Sequence, residues 1–375
     1  MDIKKLKYLF YITRIPNLGN VRIKTLLNSF PDAEGIFNLP KSKICRIDGF
    51  DNILAEVILS ADTRFEEYDE EFKVLMEKCE RGGIKIVTIC DEEYPENLKK
   101  IYDSPVFLYY KGNLSERDRY SIGIVGTRLP SEYGRTSCIT IAKELSESRI
   151  PIISGMAKGI DSVAHKTALT SGNLTYAILG SGADVVYPPE NKNLYEEIIE
   201  KGAVISEYEP GTKPDKGNFP KRNRIVSGIS LGCIIVESGN KGGSLITASF
   251  ALDQNREVFA IPGQINSRRS EGTNNLIKRG QAKLIMNSED ILNELEYQMS
   301  GILKREAEKT PPEVTDLNLF EKKIYDILEE EPMHIDRISE KSGLSISDCL
   351  VNLLTMEFKN RIKQLPGKRF TKLWK

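Results

Sequence analysis

The order of apolar and polar positions divides the chain into three regimes. Over residues 1–75 apolar side chains recur every three or four positions, with Leu6, Leu9, Phe10 and Ile12 in one stripe and Val21, Leu26 and Leu27 in the next. Ile15-Pro16-Asn17-Leu18-Gly19-Asn20 interrupts the first stripe, and Ile47-Asp48-Gly49-Phe50 precedes another helical run from Ile53 to Ile58. This spacing predicts small helices joined by glycine-containing turns. Such turns can offer amides to a phosphate. Neither has the G-x-G spacing of the DNA-binding helical hairpin, so plain helical packing is the expectation for residues 1–80.

From Ile84 the period shortens. Ile84–Ile89, Val106–Tyr110, Ser121–Val125, Ile150–Ile153, Thr175–Leu179, Gly202–Glu207, Gly232–Glu237 and Val258–Ile261 are short, almost continuous apolar runs. Runs of that kind are strands buried on both faces. Helical patterns follow several of them, over 132–147, through Ala168 and over 245–254, and glycines cluster where the strands end. The economical fold is α/β, a doubly wound, mostly parallel sheet over 82–295 with its ligand edge at the strand carboxyl ends.

A third regime begins with residues 296–316, whose Glu, Lys, Ser and Pro311-Pro312 suit a linker. In 317–375, Leu319, Phe320, Ile324, Ile327 and Leu328 make an amphipathic helix. Ile335, Ile338 and Leu344 continue the helical pattern, and Ser345 caps a helix carrying Cys349, Leu350, Leu353 and Leu354. A two-stranded ribbon with a Pro366-Gly367 turn ends the chain. Three helices and a ribbon predict a small winged-helix domain.

Composition narrows the function. The 375 residues are 40% hydrophobic and 29% charged, as in a globular protein, and no apolar run reaches the length of a membrane span. The six cysteines (Cys45, Cys79, Cys90, Cys138, Cys233, Cys349) include no C-x-x-C pair, which suits reduced thiols in a cytosol. His165 and His334 are the only histidines, so histidine-based metal or acid–base chemistry has little to draw on. Net charge is −1, so any affinity for nucleic acid must come from local patches.

One such patch is Asn218-Phe219-Pro220-Lys221-Arg222-Asn223-Arg224, a ring and three cations that read as a basic loop, with Lys213 and Lys216 upstream. Guanidinium forks match phosphate oxygens and a ring offers a stacking face. Signs of catalysis are thin. Asp161 and His165 stand four apart on one helix, close enough to meet, but such a pair is commonly structural. Ser154, Ser181 and Ser244 lie in glycine turns without a G-x-S-x-G elbow, and neither a phosphate loop of NTPases nor a complete dinucleotide fingerprint occurs.

Taken together the turns resemble the DprA (Smf) family of DNA-processing proteins. The resemblance rests on Ile124-Val125-Gly126-Thr127-Arg128, the block from Ser154 to His165, Leu179-Gly180-Ser181-Gly182 with Tyr187-Pro188 and Asn191, and Ile205-Ser206-Glu207-Tyr208. Phe219 through Gly228, Gly243 through Ala248, Pro262-Gly263 and Gly272 through Ile277 complete it. It implies a cytoplasmic, non-enzymatic, cofactor-free protein that binds single-stranded DNA, protects incoming DNA in natural transformation and loads the RecA recombinase. It also implies a homodimer formed through a Rossmann-like domain. By position the DNA site would comprise Gly126, Thr127, Arg128, Ser154, Gly155, Lys158, Phe219, Lys221, Arg222, Asn223, Gly243 and Ser244. The chain departs from the family pattern in its basic Lys241-Gly242-Gly243-Ser244 turn and in Glu209, where proline is common. The competing reading is a nucleotide N-glycosidic hydrolase on a related fold, with Glu207 or Asp161 as acid. A transcription regulator acting through the winged helix is weaker. Residues 359–375 carry Lys359, Arg361, Lys363, Lys368, Arg369, Lys372 and Lys375 beside Trp374, but the helix over 346–358 has Asp348 and Glu357 and no cation.

Overall fold

The computed structural model describes residues 3–296, 317–328, 332–358, 361–365 and 367–372. Residues 1–298 and 299–375 form two compact units. The first holds a nine-stranded sheet of β1 (Lys85–Thr88), β2 (Phe107–Gly112), β3 (Ile122–Val125), β4 (Ile152–Ser154), β5 (Thr175–Ile178), β6 (Ala203–Ser206), β7 (Gly232–Ile235), β8 (Glu257–Ala260) and β9 (Lys283–Leu284). Their order is β1-β2-β6-β5-β4-β3-β7-β8-β9. From β6 to β9 all neighbours run parallel, while β1 and β2 add an antiparallel edge. Every residue of β3 to β7 is buried, which explains their unbroken apolar runs. From β3 the chain winds outward through β4, β5 and β6, then returns to β7 on the other side. The doubly wound expectation holds, and the reversal of winding between β3 and β7 is where such sheets open a crevice.

Two expectations change within this unit. The stretch read as a basic loop is a helix, Asn218–Ile229, that buries Arg222 and Arg224 along with Ile225, Val226 and Ile229. Pro220 stands in its first turn, where a missing amide hydrogen costs nothing. The boundary drawn near residue 81 is also not a break in packing. Helices Ile3–Arg14, Asn20–Ser29, Asn52–Leu59 and Phe65–Gly82 place Leu9, Phe10, Ile23, Ile58, Tyr68 and Leu75 in one continuous core with Leu108, Ile153, Ile178 and Ile205 of the sheet. The helix Phe65–Gly82, which the opening stripes did not announce, buries Tyr68, Phe72, Leu75 and Cys79 and ends at Gly83 in the left-handed region.

In the second unit, helices Leu319–Ile327, Ile335–Ser342 and Ile346–Phe358 surround a core of Ile324, Ile338, Cys349, Leu353, Ile362 and Phe370. Its ribbon (β11, Ile362–Leu365; β12, Arg369–Lys372) gains a third strand from β10 (Met333–His334), giving the order β10-β12-β11 where two strands were expected. The helix Ile346–Phe358 keeps Ile346, Leu350, Val351 and Leu354 exposed, an apolar outer face without cations. Residues 297–316, which hold nearly all of the expected linker, and Lys359, Trp374 and Lys375 lie outside the described residues.

Candidate nucleic-acid interface

At the winding reversal a cleft of ≈ 580 Å³ is walled by four segments and by Tyr187, from the stretch after β5. Val125–Arg128 leaves β3, Ala157 and Asp161 follow β4, and Lys216, Phe219, Pro220, Arg222 and Asn223 come from the start of the basic helix. The fourth wall, Ser238 to Thr247, follows β7 and includes Gly243 and Ser244. The β3 and β4 walls meet through Gly159, whose φ of +82° and contact with the Thr127 and Arg128 backbone leave no room for a side chain. Ser131 caps the helix Glu132–Glu147 and donates through N and Oγ to the buried carboxylate of Glu237, at 2.8 and 2.7 Å. That contact ties the β3 turn to the β7 turn.

The cleft surface combines cations with rings. Arg128 and Lys216 are exposed and make no side-chain hydrogen bond or ion pair among the described residues. Phe219 stacks at a tilt on Tyr187, with centroids 5.3 Å apart and 32° between planes, and both line the wall. Asn223 Nδ2 reaches the Gly243 carbonyl at 3.4 Å across the opening. Ser244 Oγ is turned inward to Ser238 Oγ at 2.9 Å, and the helix Ser244–Asp253 begins at Gly243, which has no side chain to cap it. The Leu245 and Ile246 amides donate to the Gly242 and Gly243 carbonyls at 3.1 Å, which leaves the Gly243 and Ser244 amides as anion donors at this helix start.

Beneath the surface, the turn expected to hold phosphate is filled from within. The Gly155 and Ala157 amides donate to the Asp161 carboxylate at 3.2 and 3.3 Å, and Ser154 Oγ, fully buried, donates to the Ile124 carbonyl at 2.6 Å. Arg222 is buried too, and its Nη1 donates to the Gly155 carbonyl at 2.5 Å and to that of Ile178. A Cβ on Gly155 would overlap this guanidinium. Ser154 and Gly155 therefore shape the floor rather than offer donors to a ligand, whereas Arg222, held to two carbonyls through Nη1, still lines the cleft. Two further expected site residues point elsewhere. Lys158 pairs with Glu190 at 2.5 Å, and Lys221 is exposed outside the cleft wall, on the side of Glu207.

The titratable groups of the floor have clear causes. Burial pushes the Asp161 carboxyl up to about 6, opposed by the positive charge of Arg222 and by the two turn amides. Burial drives His165 down to about 3, with Arg222 adding to the effect, so its ring is neutral and bonds Thr175 Oγ1 through Nδ1 at 2.7 Å. Asp161 and His165 are thus engaged separately, not with each other. Glu207 is also committed: it pairs with Arg224, whose Nε bonds Asp103 at 3.0 Å. Among the described residues no cluster of His, Cys, Asp and Glu could hold a metal ion. No helix there is long and apolar enough to cross a membrane.

Comparison with known proteins gives this cleft a lineage. The sequence model for DNA recombination-mediator protein A matches residues 85–296, and that for the DprA winged helix domain matches 307–368. The chain belongs to the DNA recombination-mediator protein A family. Protein Smf of Synechocystis is 32% identical to it over 96% of both chains. The DNA processing protein DprA of Streptococcus pneumoniae is 44% identical over 56% of this chain and 74% of its own. Among solved structures, DprA of Streptococcus pneumoniae superposes with a TM-score of 0.63 at 36% identity, covering 77% of this chain and 97% of that one. A second, from Helicobacter pylori, has a TM-score of 0.52 at 32% identity, over 57% and 96%. Its description concerns the single-stranded DNA binding mode of that protein. Tyr187 and Lys216 were not among the expected site residues of the family resemblance, although both stood in plain view. Tyr187-Pro188 was part of a matching motif, and Lys216 precedes Phe219 by less than one helical turn.

Proposed function

We propose that the cleft binds single-stranded DNA, with Arg128 and Lys216 on phosphates, the uncapped helix start at Gly243–Ser244 supplying amide donors, and Phe219 with Tyr187 stacking bases. The observation that carries this reading is the pairing of uncommitted cations with stacked rings in one crevice, the combination that single strands require. The family relationship supports a role in protecting incoming DNA during natural transformation, in the cytoplasm, with RecA recombinase as partner and a second copy of the chain in the working unit. The reading is of binding without catalysis. Asp161 and Glu207, the acids that an N-glycosidic hydrolase would need, are held by turn amides and by Arg224. Incubation with nucleoside monophosphates is expected to release no free base, and release of base would favour the hydrolase.

Titration of an oligo-dT strand at several salt concentrations tests the binding. Each phosphate contact on a single strand contributes about 0.7 to the slope of log affinity against log salt. Arg128→Ala and Lys216→Ala should each weaken binding and flatten that slope by about this amount. Phe219→Ala should weaken binding by about 1–3 kcal/mol and leave the slope alone, since stacking releases no counterions. Lys221→Ala, outside the wall, should change either quantity less. Unchanged affinity and slope in both cation variants would remove the cleft from consideration. Assembly is best examined with the full chain, because removing the first 80 residues would strip a shared core.

A further inference from the structure

We propose that the bound strand continues out of the cleft into a second nucleotide subsite, formed by the ring of Tyr133 and the cations Arg268 and Arg269. This rests on the reading of the cleft as a single-strand site. A neighbouring cavity of ≈ 540 Å³ is lined by Ser131, Tyr133, Glu237, Pro262, Gly263, Gln264, Ser267 and Ser270. It shares its dividing wall with the cleft: Thr127 and Arg128 face one side and Ser131 the other, and likewise Ser238 and Glu237.

The chemistry of the first cavity recurs here. Tyr133 is 54% exposed, and its hydroxyl donates to the Pro262 carbonyl at 2.6 Å, so the ring is held in place with surface to spare. A held ring loses little freedom when a base stacks on it. Arg268 and Arg269 sit between two residues that line the cavity. Both are exposed, and neither makes a side-chain hydrogen bond or ion pair among the described residues. The Arg268 carbonyl lies 3.3 Å from the Cβ position of Gly239, which itself lines the cleft, so the loop of these arginines forms the cleft rim. Ile265, on the same loop, is 96% exposed and adds an apolar contact. The one buried carboxylate there, Glu237, accepts from the Ser131 amide and hydroxyl, one on each oxygen, so its charge is partly met within the fold.

The test uses the full chain and an oligo-dT strand of about twenty nucleotides, longer than a single compact site of this kind needs. Arg268→Ala combined with Arg269→Ala is expected to flatten the salt slope by about 1.4, two contacts' worth. Tyr133→Leu should lower affinity about fivefold or more at unchanged slope, and Tyr133→Phe, which keeps the ring but frees it from Pro262, should lose clearly less than the Leu variant. Parent-like slope in the arginine variant, or equal losses for the Leu and Phe variants, would overturn the subsite. So would a loss in the arginine variant as deep as that of Arg128→Ala with Lys216→Ala, since the loop would then be the main site. If the parent binds and the cleft variants fail while the loop variants do not, only this extension falls. Failure of the parent itself to bind overturns both.

Discussion

Arg222→Met should unfold at a markedly lower temperature than the parent, and the deficit should widen between pH 5 and pH 8. The substitution keeps most of the side-chain volume, so the effect reports charge and hydrogen bonding. Two buried carbonyls, of Gly155 and Ile178, lose their donor, and Asp161 loses the positive charge that most opposes the effect of its burial. Leaving a buried polar group without its partner costs about 1–3 kcal/mol for each group. The pH dependence follows from Asp161. Its carboxyl titrates near 6 in the fold against an ordinary 3.8, so its contribution to stability is complete at low pH and is lost as pH rises through about 6. Without Arg222 the folded value climbs further and the penalty for ionising grows, which makes the variant worse at pH 8 than at pH 5. Thermal unfolding at both values, parent beside variant, measures this. Equal deficits would mean that Asp161 does not feel Arg222.

The second large effect is expected at Gly159→Ala. With φ +82° and ψ −128°, the site has a backbone conformation that L side chains rarely adopt. An added Cβ would also sit 2.6 Å from the Arg128 carbonyl carbon and 2.7 Å from its oxygen. Strain and overlap together should cost about 2–5 kcal/mol, and relief can come only by pushing the Thr127–Arg128 turn out of place. Urea unfolding should show the loss, and surviving folded protein should bind single strands less well. For stability alone Gly243→Ala is the matched control, because nothing lies within 4 Å of a Cβ there and the φ is −60°. A Gly159→Ala variant as stable as that control would contradict the described turn.

The parallel sheet was legible because strands buried on both faces carry no polar alternation to confuse them, as in Ile152-Ile153 or Cys233-Ile234-Ile235. The basic helix was not, for a specific reason. Its inward face is carried by Arg222, Arg224, Ser227 and Gly228 as much as by Ile225 and Val226, so no apolar period announces a helix. The difference between loop and helix reaches the site. In a loop Lys221 and Arg222 are equivalent neighbours, whereas in a helix they are about 100° apart. One then faces solvent and the other the floor. Arg128 and Phe219 could be picked from side-chain chemistry alone, and both line the cleft. The filling of the Ser154–Gly155 turn by Asp161 could not, because a carboxylate from the next helix mimics the anion that the turn was expected to receive. Glu209, the departure from the family pattern, acquires a partner in Arg14 of the first helix at 2.5 Å.

The antiparallel edge of the sheet has a consequence for the order in which the protein can be made. β2 ends at Gly112, but the strand it pairs with, β6, begins at Ala203, and the Arg14–Glu209 contact waits for the same stretch. On a ribosome adding about 5–20 residues per second, the early helices and the β1–β2 hairpin would wait roughly 5–20 seconds for that partner. Through that interval β2 presents an unpaired edge and the apolar face beneath it is uncovered. The nascent N-terminal third is therefore a stage of synthesis at which shielding by chaperones would matter.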